Sequence, residues 1–335
     1  GANRSINPQA SRWEWFLAWL SLERVRATLR DFPASASLEA SEVDQFRYDP
    51  DYVIRNVLGV LEDLVPFKEL IQDSESSSSR FNTLVRRTQD LCQKGAAALA
   101  LGSLCCENNG TRKTAAIVLL VMRIVINSAA ALGTSSWRER PQVAMVLNSV
   151  HKALASHTQE DTLSGNVTVP QIPGTSAIFL ANSILVLTRP NHDLYSACNR
   201  YFLKIDENGG AFPDLYRLPM FISLFCSSTE DPQQAQKDRI WALEILKDSF
   251  VGEDCFRPLL ACHAPELLLT AFERSDDGRE LVLLSDILVK ILRKGGSKAC
   301  FHMVRRLGLL SWLHGFMAGS RTLANNSEAS WVASL

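Results

Sequence analysis

The stretch Trp241-Ala242-Leu243-Glu244-Ile245-Leu246-Lys247 and its counterpart Ile287-Leu288-Val289-Lys290-Ile291-Leu292-Arg293 decide the fold. Leu243, Ile245 and Leu246 recur as Val289, Ile291 and Leu292. Cys255-Phe256 recurs as Cys300-Phe301, and Leu268, Leu269 and Phe272 recur as Trp312, Leu313 and Phe316. Each offset is roughly 45 residues, inside the ~40–47-residue period of helical pairs in HEAT and armadillo arrays. A helical pair that is apolar along one face cannot bury that face alone, so neighbouring pairs must stack. The spacing predicts an all-α chain with an armadillo/HEAT-like helical solenoid in its last third.

Helical periodicity continues outward from this repeat. Ala177–Leu187, His192–Leu203 and Leu218–Phe225 read as helices, punctuated by Asn208-Gly209-Gly210 and Pro213. Residues 158–175 carry Gly165, Pro170, Pro173 and Gly174 among many hydroxyl side chains, and read as a boundary or long loop. Before it, Pro141–His157, Thr111–Leu132 and Phe81–Cys106 read as helices, the last two joined by Glu107-Asn108-Asn109-Gly110. Asp49-Pro50 has the form of an N-cap followed by proline at the first helical position, opening a helix through Val53, Val57, Leu58 and Leu61. Trp13, Phe16, Leu17, Leu20 and Val25 fall at one helical spacing. Ser74 to Ser79 has a linker composition. Only Val167-Thr168-Val169 alternates like a strand, too little for an α/β enzyme fold. The expected organisation is a helical segment over 1–73, a helical region over 80–157, a linker over 158–176, a helical-repeat domain over 177–320 and a tail over 321–335.

The 335 residues are 46% hydrophobic, with 35 Lys+Arg against 36 Asp+Glu. That balance excludes a largely disordered chain and a wholly basic nucleic-acid binder, but leaves room for a local basic patch. The eight cysteines are scattered without C-x-x-C spacing, as in a reduced cytosolic or nuclear protein. Arg123 and Asn127 interrupt the longest apolar run, Ala115–Leu132, so it reads as a buried helix and no membrane partner is expected. Gly1 at the start reads as the mark of a fragment or processed piece.

No catalytic, cofactor-binding or metal-binding residues are expected. The six histidines lack metal-ligand spacing, and no phosphate loop, nucleophile elbow or dinucleotide fingerprint occurs. Cys262 and His263 are adjacent, and adjacent helical residues do not face each other. One electrostatic feature stands out. From Asp286 to Glu328 there is no acid, while Lys290, Arg293, Lys294, Lys298, Arg305, Arg306 and Arg321 are all basic. Lys290 shares a helix face with Arg293 and Lys294, and Gly295-Gly296 turns the chain into a helix whose N-terminus favours an anion. The segment reads either as a phosphate-backbone contact or as a solvated basic face that could also meet an acidic protein.

Three successive segments resemble the C-terminal domain of the nucleolar pre-ribosomal-associated protein 1 family. They are Leu218-Pro219-Met220-Phe221-Ile222-Ser223-Leu224-Phe225-Cys226-Ser227-Ser228, then Lys237–Asp248 with Arg239 and Trp241, then Leu307-Gly308-Leu309-Leu310-Ser311-Trp312-Leu313. The likeness runs over about residues 177–318; it departs from the family pattern at Leu307, where that pattern has Tyr, and around Glu230-Asp231-Pro232. It implies a non-enzymatic nucleolar and nuclear scaffold supporting large-subunit pre-rRNA processing and early precursor assembly. Pre-ribosomal particle proteins and pre-rRNA are the implied partners, with a companion large scaffold and a helicase among them, and no cofactor or small-molecule substrate. Trp241 and Trp312 would be inter-helix plugs and Pro219 a helix start. The rival readings are a generic armadillo-like protein-interaction adaptor without an RNA role, and an enzyme.

Overall fold

The computed structural model describes residues 12–30, 32, 47–63, 78–131, 137–157, 159–161, 166–208, 216–226 and 231–323. Ser74–Ser77 of the expected linker, Gly165, Gly209-Gly210, Pro213, Ser227-Ser228, Glu230 and the tail beyond Leu323 lie outside these residues. The described chain is almost wholly helical, so the fold class is all-α. It divides into one compact unit over 1–172 and 177–215 and another over 173–176 and 216–335.

The first unit begins with α1 (Arg12–Trp19) and α2 (Leu22–Leu29) where one helical run was expected. The break is closed by a single side chain. The Tyr48 hydroxyl accepts from the Ser21 N–H at 2.8 Å and donates to the Trp19 carbonyl at 2.7 Å, so both peptide groups keep partners. α3 (Pro50–Glu62) starts as the sequence predicts, with Asp49 Oδ1 accepting from the Asp51 N–H at 3.0 Å.

The helix expected over Phe81–Cys106 is two helices, α4 (Ser78–Gln93) and α5 (Ala96–Ser103). Gly95 separates them in the left-handed region at φ +88°, where a Cβ would stand 2.8 Å from Val25 Cγ1. All eight residues of α5 are buried, because α2, α3, α4 and α6 (Asn109–Ala131) surround it. Its composition, mostly alanine and leucine with a single serine whose hydroxyl donates to the Leu99 carbonyl, is what such a position requires. α6 is the one described helix long and apolar enough to cross a membrane, and it lies against α3, α4, α5 and α7 (Arg140–His157) with 44% of its apolar window buried.

Arg112 fixes the turn before α6. It is 7% exposed, and its guanidinium donates to the carbonyls of Val169 (2.9 Å), Cys106 (2.6 Å) and Glu107 (2.7 Å). Two three-residue strands, β1 (Gln159–Asp161) and β2 (Asn166–Thr168), pair antiparallel with Glu160 opposite Val167. α8 (Gly174–Leu187) is buried on nearly every side, and α9 (Tyr195–Glu207) packs on α7. α9 starts later than expected because His192 lies in the preceding turn, with Nδ1 accepting from the Leu194 N–H at 3.2 Å.

In the second unit α10 (Phe221–Phe225) begins after Met220, whose φ of +61° stops the helix from reaching back to Leu218. The segment after it follows the repeat read from the sequence. α11 (Pro232–Ser249) leads through a 3₁₀ turn into α12 (Phe256–Ala261) and α13 (Ala264–Arg274). α14 (Gly278–Lys294), α15 (Gly296–Phe301), a π turn (His302–Arg306) and α16 (Leu309–Leu323) then repeat the order of long helix, short helix, helix.

α11 packs on α14 through Leu243, Leu246, Leu284, Ile287 and Ile291, buried residues at the periodic positions of both helices. Three charged pairs run beside this seam: Arg239–Glu280, Glu244–Arg279 and Lys247–Asp286. Asp277 caps α14, its Oδ1 accepting from the Glu280 N–H at 2.7 Å.

Candidate nucleic-acid interface

The basic residues singled out in the sequence lie at the end of α14, along α15 and in the π turn. What orients them is the inner face of that segment. Ala299, Met303 and Leu309 are buried, whereas Lys298, Phe301, Arg305 and Arg306 are exposed. Leu307 closes the π turn, its N–H donating to the His302 carbonyl at 3.1 Å, and Gly308 leaves it at φ +63°. The His302 ring meets Phe256 edge-on at 5.9 Å and lies 3.8 Å from the Glu266 carboxylate, which holds the turn against α12 and α13.

The six candidates separate into two kinds. Arg293, Lys294, Lys298, Arg305 and Arg306 are exposed, and among the described residues none of the five has a hydrogen bond or ion pair. Lys290 differs. Its ammonium donates to the Lys247 carbonyl at 2.7 Å, so it ties α14 to the last turns of α11. The Arg321 side chain lies outside the described residues.

The helix N-terminus expected to attract an anion opens a short helix, has no side-chain cap and lies beside a carboxylate of the chain. α15 has six residues, and the Glu253 carboxylate occupies the space where a side chain on Gly296 would stand. Gly296 at φ +69° lets backbone and carboxylate approach that closely. The sequence shows no acid between Asp286 and Glu328, yet in space Glu253, Glu266 and Glu273 border the same region. Sequence reasoning missed these acids because they come from the preceding repeat. It also missed Phe301, which is 59% exposed between Lys298 and Arg305.

The residues matched to the family motifs fall into place unevenly. Pro219 is buried just ahead of α10. Trp312 lies edge-on to Phe272 of α13 at 5.3 Å and stacks with Phe316 at 5.7 Å, while its Nε1 donates to Glu273 Oε1 at 2.7 Å. It therefore joins α13 to α16 while staying partly open to solvent. Trp241 is likewise only half-buried rather than a sealed plug. Arg239, two residues before it, carries a contact the sequence did not reveal: it meets Glu280, a carboxylate only 3% exposed.

As for catalytic chemistry, burial pushes the Cys262 thiol up to about 11, and its Sγ faces the Leu259 carbonyl at 3.4 Å. That thiol is a packed group rather than a poised nucleophile. Among the described residues no cluster of three or more His, Cys, Asp or Glu could hold a metal ion.

Comparison with known proteins gives one match. The sequence profile of the family described as nucleolar pre-ribosomal-associated protein 1 matches residues 97–312. That range runs from α5 to the first turn of α16, and reaches further toward the N-terminus than the motifs quoted above. No curated protein and no solved structure matches the chain. With more than half of its length matched by that profile, the chain belongs to the nucleolar pre-ribosomal-associated protein 1 family.

Proposed function

We propose that this chain is a non-enzymatic helical scaffold of nucleolar large-subunit precursors, supporting pre-rRNA processing and early assembly. In this reading the two repeats from Pro232 and Gly278 are the stacked pairs of an armadillo-like solenoid. The face carrying Arg293, Lys294, Lys298, Arg305 and Arg306 docks on the precursor by contacting the phosphate backbone of pre-rRNA. Family membership supports the nucleolar and pre-ribosomal part. The observation that carries the RNA part is the set of five exposed cations that make no ion pair among the described residues, on a segment whose inner positions Ala299, Met303 and Leu309 are buried. Like charges gathered on one face repel each other, and a polyanion relieves that cost.

The test is a full-length protein with Arg293, Lys294, Arg305 and Arg306 all changed to Glu. Because these side chains support no contact within the unit, circular dichroism and thermal melting stay unchanged while recovery of large-subunit precursors falls. Precursor recovery equal to wild type would remove this face from the mechanism. Retained protein partners with lost RNA would separate it from the adaptor reading.

A further inference from the structure

We infer that Phe301 is a base-stacking platform, so that the basic face takes unpaired rather than duplex RNA. This rests on the RNA reading above and adds a selectivity that the cations alone do not supply.

Phe301 is 59% exposed, while Ala299 and Met303 on the same segment are fully buried, so the core does not call for a phenyl ring there. Lys298 and Phe301 stand at i and i+3 on α15, the spacing that brings side chains to one side of an α-helix. The π turn widens the helix just beyond Phe301, so Arg305 and Arg306 fall four and five residues on and flank the ring's row together. An exposed aromatic ring among uncompensated cations is the combination that holds single strands: the cations track phosphates and a base stacks on the ring. A duplex keeps its bases stacked internally and offers the ring nothing, while still satisfying the cations. Charge complementarity selects the occupant. An apolar protein segment laid on Phe301 would desolvate Lys298 and Arg305 unless it brought acids of its own.

The test uses the full chain with a fluorescent oligouridine strand and, separately, the same strand annealed to oligoadenosine, read by anisotropy at low salt. Phe301→Ala is expected to weaken the single strand roughly 5- to 100-fold, the range for loss of one stacked base. The duplex affinity should stay within about twofold, since only phosphate contacts hold it. Phe301→Tyr should restore single-strand binding, and an unchanged melt would show that the fold is intact. Arg305→Glu with Arg306→Glu should weaken both probes. Equal loss of both probes on Phe301→Ala, or no loss of either, overturns the stacking inference while leaving the phosphate reading standing. If the Arg305/Arg306 variant also binds both probes like wild type, the RNA reading itself is overturned.

Discussion

Removing the Arg239 guanidinium should reveal how strongly the two repeats are coupled. Glu280 is 3% exposed, and its carboxylate accepts from Arg239 Nε at 3.0 Å, Arg239 Nη2 at 3.5 Å and Ser275 Oγ at 3.0 Å. Arg239→Met leaves that carboxylate buried with one hydroxyl donor. Breaking a buried ion pair from one side costs about 3–5 kcal/mol. Here the arginine side chain is 30% exposed, so water replaces part of the lost interaction and the cost is about 2–3 kcal/mol. At roughly 2–4 °C per kcal/mol, the transition should fall by roughly 5–10 °C. Replacing both partners with Arg239→Met and Glu280→Leu removes the stranded charge and should return stability to within ~1 kcal/mol of wild type. Differential scanning calorimetry on the four members of this double-mutant cycle gives the coupling directly. A single Arg239→Met variant within ~0.5 kcal/mol of wild type, or strictly additive singles, would refute the reasoning.

Three further outcomes follow from the same geometry. Arg112→Met strands the carbonyls of Val169, Cys106 and Glu107 and should cost about 2–4 kcal/mol in urea unfolding; Arg112→Lys should recover only part, because an ammonium lacks the planar fork. Gly95→Ala should cost about 1–3 kcal/mol, and adding Val25→Ala should recover only the steric share, since the left-handed backbone remains strained. Burial pushes the Cys92 and Cys106 thiols up to about 12, so mass spectrometry after alkylation near pH 8 should find exposed Cys226 labelled and those two untouched until denaturant is added; prompt native-state labelling of Cys92 would contradict its burial.

Helix content was legible because apolar side chains recur at helical spacing, and because Asp49-Pro50 combines a side-chain acceptor with a following helix; the cap at Asp277 has no proline to mark it. The recurring order of long helix, short helix and helix was legible for the same reason: buried positions in α11 and α14 fall at helical spacing. Breaks inside helical patterns were not. Gly95 sits between runs that each look helical, and only the approach of Val25 explains the break. The interruption at Leu20-Ser21 depends on Tyr48, which lies far downstream in the sequence. Of the small hairpin only the second strand was legible, as the alternation at Val167-Thr168-Val169, because three-residue strands carry almost no periodic signal.

At the candidate interface the basic residues were visible as composition, but their roles depended on packing. Lys290 turned out to be engaged by the Lys247 carbonyl, and the Glu253 carboxylate to fill the space beside Gly296. In the sequence Phe301 figured only as the counterpart of Phe256, yet Phe256 is buried and Phe301 is not. Only the burial of Ala299 and Met303 identifies it as an outward ring.

The proposed RNA contact is tested most directly by crosslinking in cells. Ultraviolet crosslinking of the full-length protein in cells, followed by mass spectrometry of RNA-bound peptides, reads that contact without any mutation. The account predicts crosslinked peptides covering residues 293–306, with Phe301 among the modified positions, and large-subunit precursor sequence in the attached RNA. Precursor particles that carry the protein while its RNA crosslinks all fall outside that segment would contradict it.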